Sequence, residues 1–140
     1  MTTLSATPTR HRSARIDVIL GLEGFVVVGA LYGSIAMVAG LFDDAPFIPH
    51  LPFGSTALGG TALFLVNVAL PVSVIIAEAQ RRPWASRAHL AFGAALMGWI
   101  LVQVAFIGLV FFLQPLMFAI GALIAVLALL ELRASRLALR

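Results

Sequence analysis

An all-α, polytopic membrane protein, folded as a four-helix transmembrane bundle with both termini cytoplasmic, is predicted by three observations. Residues 88–130 contain no Asp, Glu, Lys or Arg, a run too long for one crossing of a hydrocarbon core about 30 Å thick, which takes about 20 helical residues. That run has one natural break at Leu113-Gln114-Pro115, because proline lacks an N–H and turns the preceding residue away from helical angles. All nine basic residues are arginines, gathered in three short clusters beside apolar runs.

Composition agrees. Of 140 residues, 61% are hydrophobic and 11% charged, with a mean hydropathy of +1.07. A single soluble core cannot hide that much apolar surface, whereas a bilayer solvates it. The pI near 11.1 resembles that of a nucleic-acid binder, but juxtamembrane placement accounts for the arginines without nucleic acid. The expected partner is the lipid bilayer. With no cysteine, disulfide exchange, thiolate catalysis and Cys-ligated metals are excluded.

Residues 1–15 read as a polar, basic cytoplasmic tail without fixed structure. The apolar run 16–41 is far longer than the 7–15 residues of a signal-peptide core. Ala36 and Ala39 are spaced like a cleavage site, but an uncleaved first span is the preferred reading. Residues 42–56 hold three prolines and no basic residue, so they form a loop. It is an apolar one, with Phe47, Ile48, Leu51 and Phe53 expected in the interface or against a partner. The second span is expected at 57–79, the third at 88–112 and the fourth at 116–132, followed by a basic cytoplasmic C-terminus at 133–140. Trp84, between the second and third spans, suits a headgroup-level anchor.

Four spans place the tail, the second-to-third connection and the C-terminus on one side. Arg10, Arg12 and Arg15, then Arg81, Arg82 and Arg87, then Arg133, Arg136 and Arg140 all fall there. The excess of arginine on one side predicts N-in and C-in topology in a plasma (inner) membrane.

Three polar residues fall inside predicted spans: Glu23, Asn67 and Gln103. Glu23 is expected roughly 10 Å in from the cytoplasmic end of its helix. It reads either as a proton or cation site, since buried charge is expensive, or as a protonated or partner-bonded carboxyl near enough to snorkel. Asn67 lies four residues before Pro71, which cannot supply the amide for its carbonyl. A kink there reads as a binding site or as a packing feature satisfied by neighbouring helices. Gln103 reads as an interhelical hydrogen-bonding residue. Gly29, Gly33, Ala36 and Gly40, spaced four, three and four, line one stripe of the first helix and are candidates for close contact within the bundle or with a partner.

Enzymatic readings lack their residues. His11, His50 and His89 lie in the tail, a loop and a helix end, which leaves no intramembrane histidine for haem. Asp43, Asp44 and His50 have no recognisable metal-ligand spacing. No Ser-His-Asp group, phosphate loop or paired intramembrane carboxylates can be assembled. Glu78 and Glu131 sit beside arginines and read as interfacial ion-pair partners. No catalytic residue, metal site or cofactor is expected.

R-R-P-W-A at 81–85, G-W-I-L-V-Q-V-A-F-I-G at 98–108 and F-L-Q-P-L-M-F at 112–118 resemble a group of small four-span actinobacterial membrane proteins. In that group a W-I-x-x-Q segment is followed by L-Q-P and a closing helix. The resemblance covers residues 47–131 and implies a non-enzymatic accessory or scaffolding subunit of a larger membrane complex. An Mce-type lipid importer with permease and ATPase subunits is one such complex. The alternative is a small proton-coupled transporter using Glu23. Small multidrug transporters share the outline of four short spans with one membrane Glu in the first. They commonly work as antiparallel dimers with weak charge bias, from which nine one-sided arginines depart.

Overall fold

The computed structural model describes residues 13–51 and 54–137. The expected tail with Arg10, His11 and Arg12, the loop residue Phe53 and Arg140 lie outside the described residues. Those described are helical without a strand, and four helical spans are long and apolar enough to cross a membrane. The chain is a multi-pass membrane protein of the four-helix class.

The first span is α1, Ala14–Val38. It begins two residues before the expected start because Ser13 caps it, its hydroxyl accepting from the Ile16 amide. It stops at Val38 because Gly40 adopts φ +76°. There the Leu41 amide donates to the Ala36 carbonyl and the Gly40 amide to that of Met37, the paired bonds of a Schellman ending. Gly40 therefore belongs to the turn, and the expected small-residue stripe loses its last member. The following loop folds onto its own molecule: Thr56 donates to Asp43 at 2.8 Å, and Phe47 is buried edge-on against Phe111, with ring centroids 5.5 Å apart.

The second span, Thr56–Ala79, consists of α2 (Thr56–Phe64), a π turn (Leu65–Ala69) and α3 (Leu70–Ala79). The proline explains the turn. Pro71 has no amide for the carbonyl four residues back and its ring crowds that carbonyl; the chain instead closes one residue wider, Leu70 donating to Leu65. α3 ends in a second Schellman pair, Arg82 to Ala77 and Arg81 to Glu78, with Arg81 at φ 55°.

The third span, α4, runs Ala85–Ile107, ending short of the expected residue 112 because Gly108 turns out at φ +75°. The break thus falls six residues ahead of Gln114. Gln114 organises it: its carbonyl oxygen accepts from Val110 and Phe111, and its amide donates to the Gly108 carbonyl. The fourth span, α5, covers Leu113–Leu137. Pro115 sits in its first turn, where a missing amide breaks no intrahelical bond. The helix continues through Arg133 and Arg136, so most of the expected C-terminal segment is helical.

α1 packs on the second span and on α5, while α4 packs on α5 and α3. Sequential spans are neighbours, α5 closes the ring against α1, and α1 and α4 face each other across the diagonal. The α4–α5 contact is the most extensive, and glycine is the reason. A Cβ on Gly93 would lie 2.7 Å from the Gly121 carbonyl oxygen and 2.8 Å from the Ala125 nitrogen. The backbones therefore touch, as small residues permit between membrane helices. Gly60 performs the same task between α2 and α1, a Cβ there reaching the Ser34 carbonyl at 2.9 Å. A Cβ on Gly29 would meet nothing within 4 Å.

Gly93→Ala should lower stability by about 1–3 kcal/mol, because backbone atoms must separate to admit the methyl group. Gly29→Ala should change it by no more than about 0.5 kcal/mol. Equilibrium unfolding in bicelles measures both; equal effects would remove the glycine contact as the determinant of the α4–α5 crossing.

Candidate functional site: a buried carboxylate and imidazole chain

The buried side of α1 carries Ile16, Ile19, Glu23, Val26 and Ala30, at steps of three and four that place them on one helical face. Glu23 thus points along the same line as the apolar core. On α4 the corresponding line is Ala85, His89, Phe92, Leu96 and Ile100. The two lines face each other across the bundle, and Glu23 and His89 meet: Nδ1 lies 2.7 Å from Oε1, with both side chains 0% exposed. Ile19, Val26, Phe92 and Leu96 belong to the surrounding apolar cluster.

A third group joins from the end of α3. Glu78 Oε2 is 3.6 Å from His89 Nε2, and its side chain is 18% exposed. The short turn from α3 to α4 brings the two residues level. The imidazole therefore has a sealed carboxyl on one nitrogen and a partly exposed one on the other.

The chemistry follows from counting protons. Two acceptors do not rest 2.7 Å apart, so one proton lies between Nδ1 and Oε1. If it is the only proton on the pair, the pair carries one negative charge; a second proton, on Nε2, makes it neutral. That second proton arrives at the nitrogen facing Glu78. Flanking carboxyls on opposite ring nitrogens suit proton transfer; they do not converge on a common point, and no group of three metal-ligating side chains exists among the described residues.

Farther than the pair from the arginine-bearing end, Asn67 is 2% exposed inside the π turn, and neither its amide nitrogen nor its oxygen has a hydrogen-bond partner among the described residues. Gln103 is half-buried and hydrogen-bonds no other described residue. The small residues part company: Gly29 is exposed, Gly33 receives Leu63, and Ala36 is buried. At the arginine-bearing end, Glu131 accepts from Ser13 at 2.9 Å and lies 3.8 Å from Arg15, joining α5 to α1.

Two sequence expectations change. His89 does stand near a helix end, one turn inside α4, but it is sealed within the bundle and not outside the apolar core. Glu78, expected as an arginine partner, faces this histidine at 3.6 Å. The residues were traceable through the four-residue step from Ala85 to His89, but nothing in the sequence states which helix lies opposite. The chain matches no family model, no curated protein and no solved structure.

Glu23→Leu or His89→Leu should each destabilise the bundle by about 3 kcal/mol, because each leaves the other group buried and unpaired. The double variant should return to within about 1 kcal/mol of the wild type. A double-mutant cycle by equilibrium unfolding checks this, and additive losses would contradict a direct pair.

Proposed function

We propose that this chain is a small, non-enzymatic proton-coupled transporter of the plasma membrane, with both termini cytoplasmic. Its proton site is Glu23 with His89, and Glu78 is the entry. The observation that carries the reading is the sealed 2.7 Å contact between Glu23 and His89. Ionisable groups inside membrane spans mark ion and proton paths because burying their charge is expensive. Bundle stability does not account for the pair, since apolar residues of similar volume commonly replace such pairs at no loss. The orientation rests on the one-sided arginines.

The relay balances. A proton reaching Glu78 passes to Nε2 while the Nδ1 proton passes to Glu23 Oε1. The imidazole ends neutral with its proton on Nε2, and Glu23 ends as a carboxylic acid. The net charge of the core changes by one with no change of packing volume. The π turn lies on the same span as Glu78, and such turns recur at functional positions in helices.

A second reading, the accessory subunit, is favoured by the outward side of α1, where Gly29 leaves open space for a partner helix. A larger complex with permease and ATPase subunits, such as a lipid importer, would then dock there.

Reconstituted vesicles on a supported membrane, subjected to a pH jump, should give a transient charge displacement. Glu23→Gln should reduce it about tenfold, while Glu78→Gln slows it without lowering its amplitude. An undiminished signal from Glu23→Gln would end the proton-site reading. For the second reading, Gly29→Leu should remove co-purifying permease and ATPase subunits while the chain still inserts; unchanged recovery would exclude that face.

A further inference from the structure

A second polar layer lies deeper in the bundle, and neither the proton relay nor the apolar core uses it. Asn67 is eleven residues before Glu78 and Trp99 ten residues after His89, so at 1.5 Å per residue both sit roughly 15 Å outward of the buried pair. The π turn carrying Asn67 packs against α1 and α4, and α4 carries Trp99. The Asn67 oxygen, the Asn67 nitrogen and the Trp99 indole nitrogen are all buried without a hydrogen-bond partner among the described residues.

The backbone adds an acceptor at the same level. In the π turn the Leu70 amide donates to Leu65, and residue 71 is proline. The Val66 carbonyl therefore has neither an i+4 nor an i+5 amide. Three N–H donors and two carbonyl acceptors thus lie at about the same depth, on the π turn and on the helix that packs against it, where hydrocarbon satisfies none of them.

We propose that Asn67, Trp99 and the Val66 carbonyl form an internal hydration site that holds one or two bound water molecules. Water is the ligand because it both donates and accepts, as this mixture of groups requires, and because a buried water is held by two to four such partners. An ion is disfavoured, as the layer has no charged side chain. The site does not depend on the proton-coupled reading, and its test measures water and not transport.

The chain holds two tryptophans, and Trp84 is exposed in the turn before α4, so the wild type carries its own control. Radiolytic hydroxyl labelling of the protein in nanodiscs, in ¹⁸O water, should modify Trp99 at a rate within about tenfold of Trp84. Asn67→Leu should lower Trp99 labelling about fivefold or more and leave Trp84 unchanged. Trp99 at background in the wild type would overturn the site, as would labelling unaffected by Asn67→Leu. Should that variant not fold, the wild-type comparison alone decides.

Discussion

Hydrocarbon cannot hydrogen-bond, and the structure depends on that constraint. A helix satisfies its own backbone, so four helices cross where irregular chain cannot. Every remaining polar group inside must find a partner within the protein or carry a cost. The buried side chains of this bundle sort by how they meet that demand. Ser34 bonds back to the Ala30 carbonyl of its own helix, Gln114 ties the α4–α5 connection, and Glu23 and His89 bond each other. Among the described residues, Asn67 is the buried side-chain amide that bonds no other group.

Diagonal placement gives the Glu23–His89 bond its character. Neighbouring helices are held by backbone proximity at Gly93, Gly121 and Gly60, contacts without charge and without a protonation state. α1 and α4 have no such seam, and the hydrogen bond between them spans the centre of the bundle. The bond therefore joins two helices that pack firmly on their neighbours but little on each other. Glu78 connects that centre to the arginine-bearing end, and on that side Ser13 and Arg15 meet Glu131. Arginine is concentrated at one end of the molecule, while at the other Phe42, Phe47 and Phe111 meet at tilted and edge-on angles.

Proline and glycine set the boundaries. Pro71 does not break its span, because widening one turn accommodates it, whereas Gly108 ends a helix whose residues remain apolar to Phe112. An apolar run thus overstates the length of a helix when a glycine reaches positive φ within it.

The number of spans and the helical class were legible in the amino-acid sequence, since both follow from the length of apolar runs measured against bilayer thickness. So was the presence of Glu23 and Asn67 in the spans, because a polar residue in such a run is conspicuous. His89 was not legible. Its position beside Arg87 reads as an interfacial helix end, and its burial depends on which helix stands opposite. The glycine pair was equally hidden, as the regular stripe on α1 outweighed single glycines on α4 and α5. Periodicity reports which residues of one helix share a face, but carries no information on the rotation and crossing of two helices. Only tertiary packing decided that Glu23, Glu78 and His89, from three helices, form one chain.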